Sequence, residues 1–147
     1  MKRIVTTNDA NGRSTILIED ELGPHAQIWE TADGEPFGRR PLERLQDLDF
    51  SKGQCLARYL EIPPDAVMAE YLKQGIPGLD ENGFHRTGTL DYFVLLEGCL
   101  TLELDDCKAE LHPGDVVVQR DTRHAWRNSS ESPARCFVVV SYPADPT

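Results

Sequence analysis

His85 and Asp91 stand six residues apart within the run Gly83 to Gly98, and His124 lies in a second run, Gly114 to Asn128. Six is an even number, so an extended chain would send both side chains out of one strand face. Phe93 and Leu95 would continue that face as apolar lining, and Trp126 follows His124 at the same parity. A histidine and a carboxylate aimed into an apolar interior need a partner, because an unpaired buried charge is costly. A cation supplies one. Two neutral imidazoles and one carboxylate on the same side of an ion leave positions open for water, oxygen or a chelating substrate. Iron and manganese suit that set first, and zinc or nickel also fit. The same residues are also satisfied without metal if His85 and Asp91 form a hydrogen-bonded pair and His124 is a core histidine.

The elements that must position these residues read as strands. Segments 15–19, 26–30, 54–62, 91–97, 100–104, 109–112, 116–120 and 135–141 are rich in β-branched and aromatic residues and are separated by Gly, Pro or Asp. Leu100, Leu102 and Leu104 alternate with Thr101 and Glu103, the pattern of a strand with one buried face. Asp105-Asp106 and Pro113-Gly114-Asp115 supply the turn chemistry on either side of 109–112. One helix is predicted within 64–74, where Gly75 and Pro77 end it. It is expected to pack Met68 and Leu72 on the barrel rather than to act as a lid. Residues 1–51 carry the weakest periodicity and are expected to form an extension packing on the barrel or an interface, with the barrel domain spanning 52–147.

With 147 residues and 39% hydrophobic composition the chain suits one domain with a single core. Fifteen basic residues against 25 acidic ones give a net charge of -10, which repels nucleic acid and anionic bilayers. Arg39, Arg40 and Arg44 form a local basic cluster, read as a solvated loop offset by Glu35 and Glu43. No leader-like apolar run follows Met1, Lys2 and Arg3, and no stretch is long enough to span a membrane, so a cytoplasmic protein is expected. Cys55, Cys99, Cys107 and Cys136 are scattered without CxxC pairing and are expected to be reduced. Asn128-Ser129-Ser130 matches a glycosylation sequon but is read as chance. His25 and His112 are expected to be solvent-exposed.

The two runs resemble the motifs of the cupin superfamily, G(X)5HXH(X)3,4E(X)6G and G(X)5PXG(X)2H(X)3N. His85 takes the first histidine of motif one, Asp91 the glutamate and Gly98 the closing glycine; Gly114, His124 and Asn128 take the glycine, histidine and asparagine of motif two. The resemblance covers roughly residues 83–128. It implies an all-β, single-domain cupin barrel of jelly-roll type, with an N-terminal extension and at most one or two short helices. It also implies one divalent metal ion held by His85, Asp91 and His124. Thr87 stands where the family has a second histidine, Asp91 is one methylene shorter than glutamate, and Arg120 replaces the usual proline of motif two.

The pocket wall is expected to include Thr87, Phe93, Gln119 and Trp126. Arg58 and Tyr59 are adjacent in a strand, so one faces inward, and parity leaves open which; an inward arginine would favour a carboxylate ligand. The leading reading is a metal-dependent enzyme acting on a small oxygenated or aromatic acid, with dioxygenation as the first reaction considered. Decarboxylation, dehydration or isomerisation with the metal as Lewis acid is the alternative. A non-catalytic small-molecule-binding barrel is the competing class. Exposed barrel-edge strands suggest a homodimer.

Overall fold

The computed structural model describes residues 1–32, 35–41 and 53–143. Strands β1 (Lys2–Asn8) and β2 (Ser14–Glu21) form a hairpin, followed by β3 (Gln27–Ala32), β4 (Glu35–Arg39) and β5 (Cys55–Ile62). After the helix α1 (Asp65–Gln74) come β6 (Leu90–Glu97), β7 (Leu100–Glu103), β8 (Lys108–Leu111), β9 (Val116–Arg120), β10 (Ala125–Arg127) and β11 (Ala134–Ser141). The larger sheet runs β4-β3-β5-β11-β6-β9 and the smaller β10-β7-β8. Every ladder between these strands is antiparallel. This is the all-β barrel with one short helix that the strand rhythm predicts.

Alternation decides what lies between the sheets. In β11, Ala134, Cys136, Val138 and Val140 are buried while the residues between them are not. They pack with Phe93 and Leu95 of β6, Leu100 of β7 and Leu111 of β8, so both sheets contribute to one core. Two glycines make the tight connections possible. Gly98 turns the chain from β6 to β7 at φ +89, and a Cβ there would sit 3.1 Å from the Ala134 Cα. Gly114, at φ +94, follows Pro113 in a turn closed by the Asp115 N–H donating to the His112 carbonyl at 2.9 Å.

The N-terminal part holds more strand than its sequence suggests. β1 is paired along its length with β2, yet only Arg3 on it is buried, so it lacks the alternation that identifies a strand. Arg3 donates from Nε to Asp20 at 2.9 Å and from Nη1 to the Ile28 carbonyl at 2.9 Å, tying the hairpin to β3. β3 in turn pairs with β5, so this segment enters the larger sheet. The solvated basic loop expected around Arg39 needs correction. Arg39 lies in β4 and pairs at 2.9 Å with Glu30, a buried carboxylate that requires a cation. Glu43 and Arg44 lie outside the described residues.

Helix α1 falls within the predicted 64–74 and ends at Gly75, φ +81. None of its residues is fully buried, and Met68 and Leu72 are half-buried. Its first turn is fastened by Asn128: the Asp65 N–H donates to the Asn128 carbonyl at 2.8 Å, and the Asn128 N–H donates to Asp65 Oδ1 at 2.7 Å. All four cysteines are free, with Cys136 buried and its thiol pushed up to about 12 by that burial. Among the described residues no helix is long and apolar enough to cross a membrane.

Candidate functional site

Strand register builds one wall of the site. Val140 of β11 lies opposite Asp91 of β6, which lies opposite Gln119 of β9. In the next inward row Arg58, Val138, Phe93 and Val117 are successive partners across β5, β11, β6 and β9. Arg58, not Tyr59, therefore faces the barrel interior, and both are buried. Parity could not choose between them because each face of β5 is covered at this point.

The opposite wall comes from a two-residue bridge. His85 and His124 donate their backbone N–H groups to each other's carbonyls, both at 3.0 Å. Residues paired in this way project to the same face. Their rings accordingly meet with centroids 4.2 Å apart and planes tilted by 55°. Trp126, two residues on, stacks on Phe93 at 4.3 Å and 18°, joining the two sheets behind the histidines. The extended chain expected between His85 and Asp91 is absent: Gly88 turns at φ +71, and the Asp121 N–H donates to the Thr89 carbonyl across the bend. His85 shares a cavity with Asp91 because His124 pairs with it, not because the strand alternates.

The cavity has a volume of about 70 Å³. It is lined by His85, Asp91 and His124, by Thr87, Phe93, Gln119 and Trp126, and also by Arg58, Leu60, Val138 and Val140. The structure thus brings all seven predicted site residues together. Leu60, Val138 and Val140 were missed because their inward facing follows from the β5–β11–β6 register, which no local pattern encodes. His25 and His112 are exposed and outside it.

The polar atoms here are incompletely satisfied. His124 Nδ1 lies 2.8 Å from the Thr122 carbonyl; a carbonyl only accepts, so Nδ1 carries the hydrogen and Nε2 keeps its lone pair. Among the described residues, His85 Nδ1, Asp91 Oδ1 and Gln119 Nε2 are buried without a hydrogen-bond partner, while Gln119 Oε1 accepts from Thr122 at 2.8 Å. Burial, with repulsion from His124, pushes His85 down to about 4, the Gly83 backbone and Asp80 giving partial relief. His124 is lowered by burial against the opposing pull of the Thr122 carbonyl and Asp91. Burial raises Asp91, opposed by Thr89, His124 and Arg58.

These shifts make a stability prediction with a defined sign. Between pH 6.5 and about 4 an unfolded chain protonates a histidine that the folded state keeps neutral, so acidification destabilises the fold. His85 alone accounts for up to about 3 kcal/mol, and His124 adds in the same direction. Asp91 acts oppositely, since its folded carboxyl takes up a proton more readily than the unfolded one. Urea unfolding of chelator-treated protein at pH 7 and 4.5 is expected to show the loss, and His85→Gln to flatten it. An unchanged slope in the variant would contradict the assignment.

The donor chemistry suits a cation: two neutral imidazoles in contact, with an unsatisfied carboxylate oxygen on the same cavity. The placement suits it in part. Among the described residues no three His, Cys, Asp or Glu side chains stand close enough together to hold an ion. The two imidazoles are in contact, and Asp91 does not complete a three-donor group with them.

A small antiparallel barrel with a histidine pair, a carboxylate and an arginine in its interior has the architecture of a cupin. Residues 76–140 match the Cupin domain family model, and the chain belongs to the cupin superfamily. Phomopsin biosynthesis cluster protein D of Diaporthe leptostromiformis is 43% identical over 151 residues, spanning 98% of this chain and 79% of its own length. Oryzines biosynthesis cluster protein J of Aspergillus oryzae is 34% identical over 154 residues, spanning 98% of this chain and 83% of its own. Cupin-domain-containing oxidoreductase fogC of Aspergillus ruber is 29% identical over 147 residues, spanning 94% and 71%.

Proposed function

We propose that this protein is a cupin enzyme of the oxidoreductase kind that acts on a small oxygenated or aromatic acid in the barrel cavity. The observation that carries this reading is the buried pair of neutral imidazoles 4.2 Å apart, beside an unsatisfied Asp91 oxygen. Buried polar groups left without partners call for an explanation, and a ligand or ion on the cavity side is one. The names of the relatives support an oxidative role.

His85 and His124, completed by Asp91, would hold one divalent ion, iron or manganese before zinc or nickel. When bound, such an ion supplies a Lewis acid and, for iron or manganese, a redox centre. The chain's own residues do the rest. Thr122 fixes the His124 tautomer, Arg58 presents a guanidinium to an acidic group, and Trp126, Phe93, Val138 and Val140 keep water from the far side of the cavity. The working form is a cytoplasmic homodimer, for which the exposed Tyr92, Val116 and Val118 on the outer face of β6 and β9 offer an apolar contact.

A second reading is favoured by the absence of a three-donor group among the described residues and by the Arg58 charge acting on Asp91. In it Asp91 and His124 exchange a proton with the substrate, as in a lyase, dehydratase or isomerase. Metal analysis of protein purified without chelators separates the two. About one equivalent of metal per chain is expected, reduced at least tenfold in His124→Ala. A metal-free protein whose turnover ignores EDTA would overturn the metal reading in favour of proton transfer.

A further inference from the structure

Beside the barrel cavity lies a second and larger hollow of about 640 Å³, within the usual range of small-molecule sites. The two share Arg58 and Leu60. Residues 58, 60 and 62 lie on one face of β5, so the larger hollow borders the same inward row of that strand as the barrel cavity. Its walls are Leu60 and Ile62 of β5, Val67, Met68 and Tyr71 of α1, and Ile76 and Leu79 of the following loop. Val67 and Tyr71 are four apart on the helix and share a face. They are 40% and 50% exposed, apolar area left uncovered over a concave surface.

From this continuity we infer that the substrate is an acid with an apolar chain or ring, its head group beside Arg58 in the barrel and its tail in the groove under α1. The inference rests on the barrel cavity being the reacting site. The two volumes divide the ligand: about 70 Å³ admits a carboxylate or carbonyl and little more, whereas the groove takes a tail of several carbons. The charges agree with this division. Arg58 lines both hollows, with Asp91 beside it in the inner one; on the groove Glu61 is engaged by Arg135 at 3.3 Å, and His25 and Glu131 are the other ionisable lining groups. An anionic head therefore gains most by passing inward to the arginine, and the apolar tail by staying behind. Transit through the groove also explains why α1 buries none of its residues completely: its apolar face covers a space, not a packed core.

The test is calorimetric binding of straight-chain carboxylates from acetate to dodecanoate, with metal-free and metal-loaded protein. Affinity is expected to rise about two- to fourfold per added carbon over the first several carbons, the increment of a methylene leaving water. Decanoate methyl ester should bind at least tenfold more weakly than decanoate. Val67→Trp and Met68→Trp, on the exposed helix, should each weaken decanoate binding more than tenfold and propionate binding less than twofold. An affinity independent of chain length, an ester that binds as well as the acid, or groove variants without effect on decanoate would each overturn the inference. None of these readouts depends on turnover or metal content, so they can fail or pass independently of the metal analysis that tests the oxidative reading.

Discussion

Asn128→Ala is expected to lower the unfolding free energy by about 3 kcal/mol, roughly 10 °C in midpoint for a domain of this size. Asn128 is 1% exposed, and its amide satisfies groups from three directions. Nδ2 donates to the Ile62 carbonyl at 3.0 Å and the Ser132 carbonyl at 2.8 Å, while Oδ1 accepts from the Ser130 N–H and hydroxyl. Alanine would leave the Ile62 and Ser132 carbonyls without these donors in a place water does not easily reach, the costly side of the hydrogen-bond balance. Urea unfolding measures the loss directly, and a change below 1 kcal/mol would show that water replaces the amide. Asn128 backbone atoms also hold the first turn of α1, so the damage should extend to the groove that the helix covers. The same bonds explain the sequon: an asparagine whose amide is buried and doubly donating is a structural tie, not a glycan acceptor in the folded chain.

Which parts of this architecture could be read from the residues follows from where the determining interactions lie. β9 has the bounds that its valine run predicts, and α1 falls within the predicted window, because propensity, turn residues and burial pattern agree locally. β1 was invisible because its faces are mostly exposed, and its ladder depends on β2 and the Arg3–Asp20 contact 17 residues away. The motif positions identified His85, Asp91 and His124, but the reason given for grouping the first two was wrong in mechanism. The chain bends at Gly88, and the histidine bridge does the placing. Arg58 was half-legible: the sequence shows an arginine in a strand, whereas its inward direction depends on pairing with Val138. The groove was not legible: the residues of the helix pointed to Met68 and Leu72 packing on the barrel, and the β5 row that borders the hollow follows from register with β11.

Thr87→His is expected to tighten binding of a divalent ion on the order of 100-fold, since ~10–16 kcal/mol for a four-ligand structural zinc is about 3 kcal/mol per ligand. Position 87 is where the cupin pattern carries its second histidine, and the Thr87 side chain already lines the cavity with His85, Asp91 and His124. The substitution sacrifices the Thr87–Thr89 hydroxyl contact at 2.6 Å, a loss of about 1 kcal/mol. It returns a third imidazole beside a pair already in contact, so the ion no longer relies on the shorter Asp91 to complete three ligands. Titration of zinc or manganese against a competing chelator reads the gain. Wild-type protein should bind about one equivalent, and Asp91→Glu, which restores the missing methylene, should tighten binding by a smaller factor than Thr87→His. If neither variant gains affinity while both stay folded, the cavity is not organised around an ion, and proton transfer by Asp91 and His124 becomes its chemistry. If both gain, the exchange of histidine for threonine accounts for an open, three-ligand site with room on the ion for the acid that Arg58 admits.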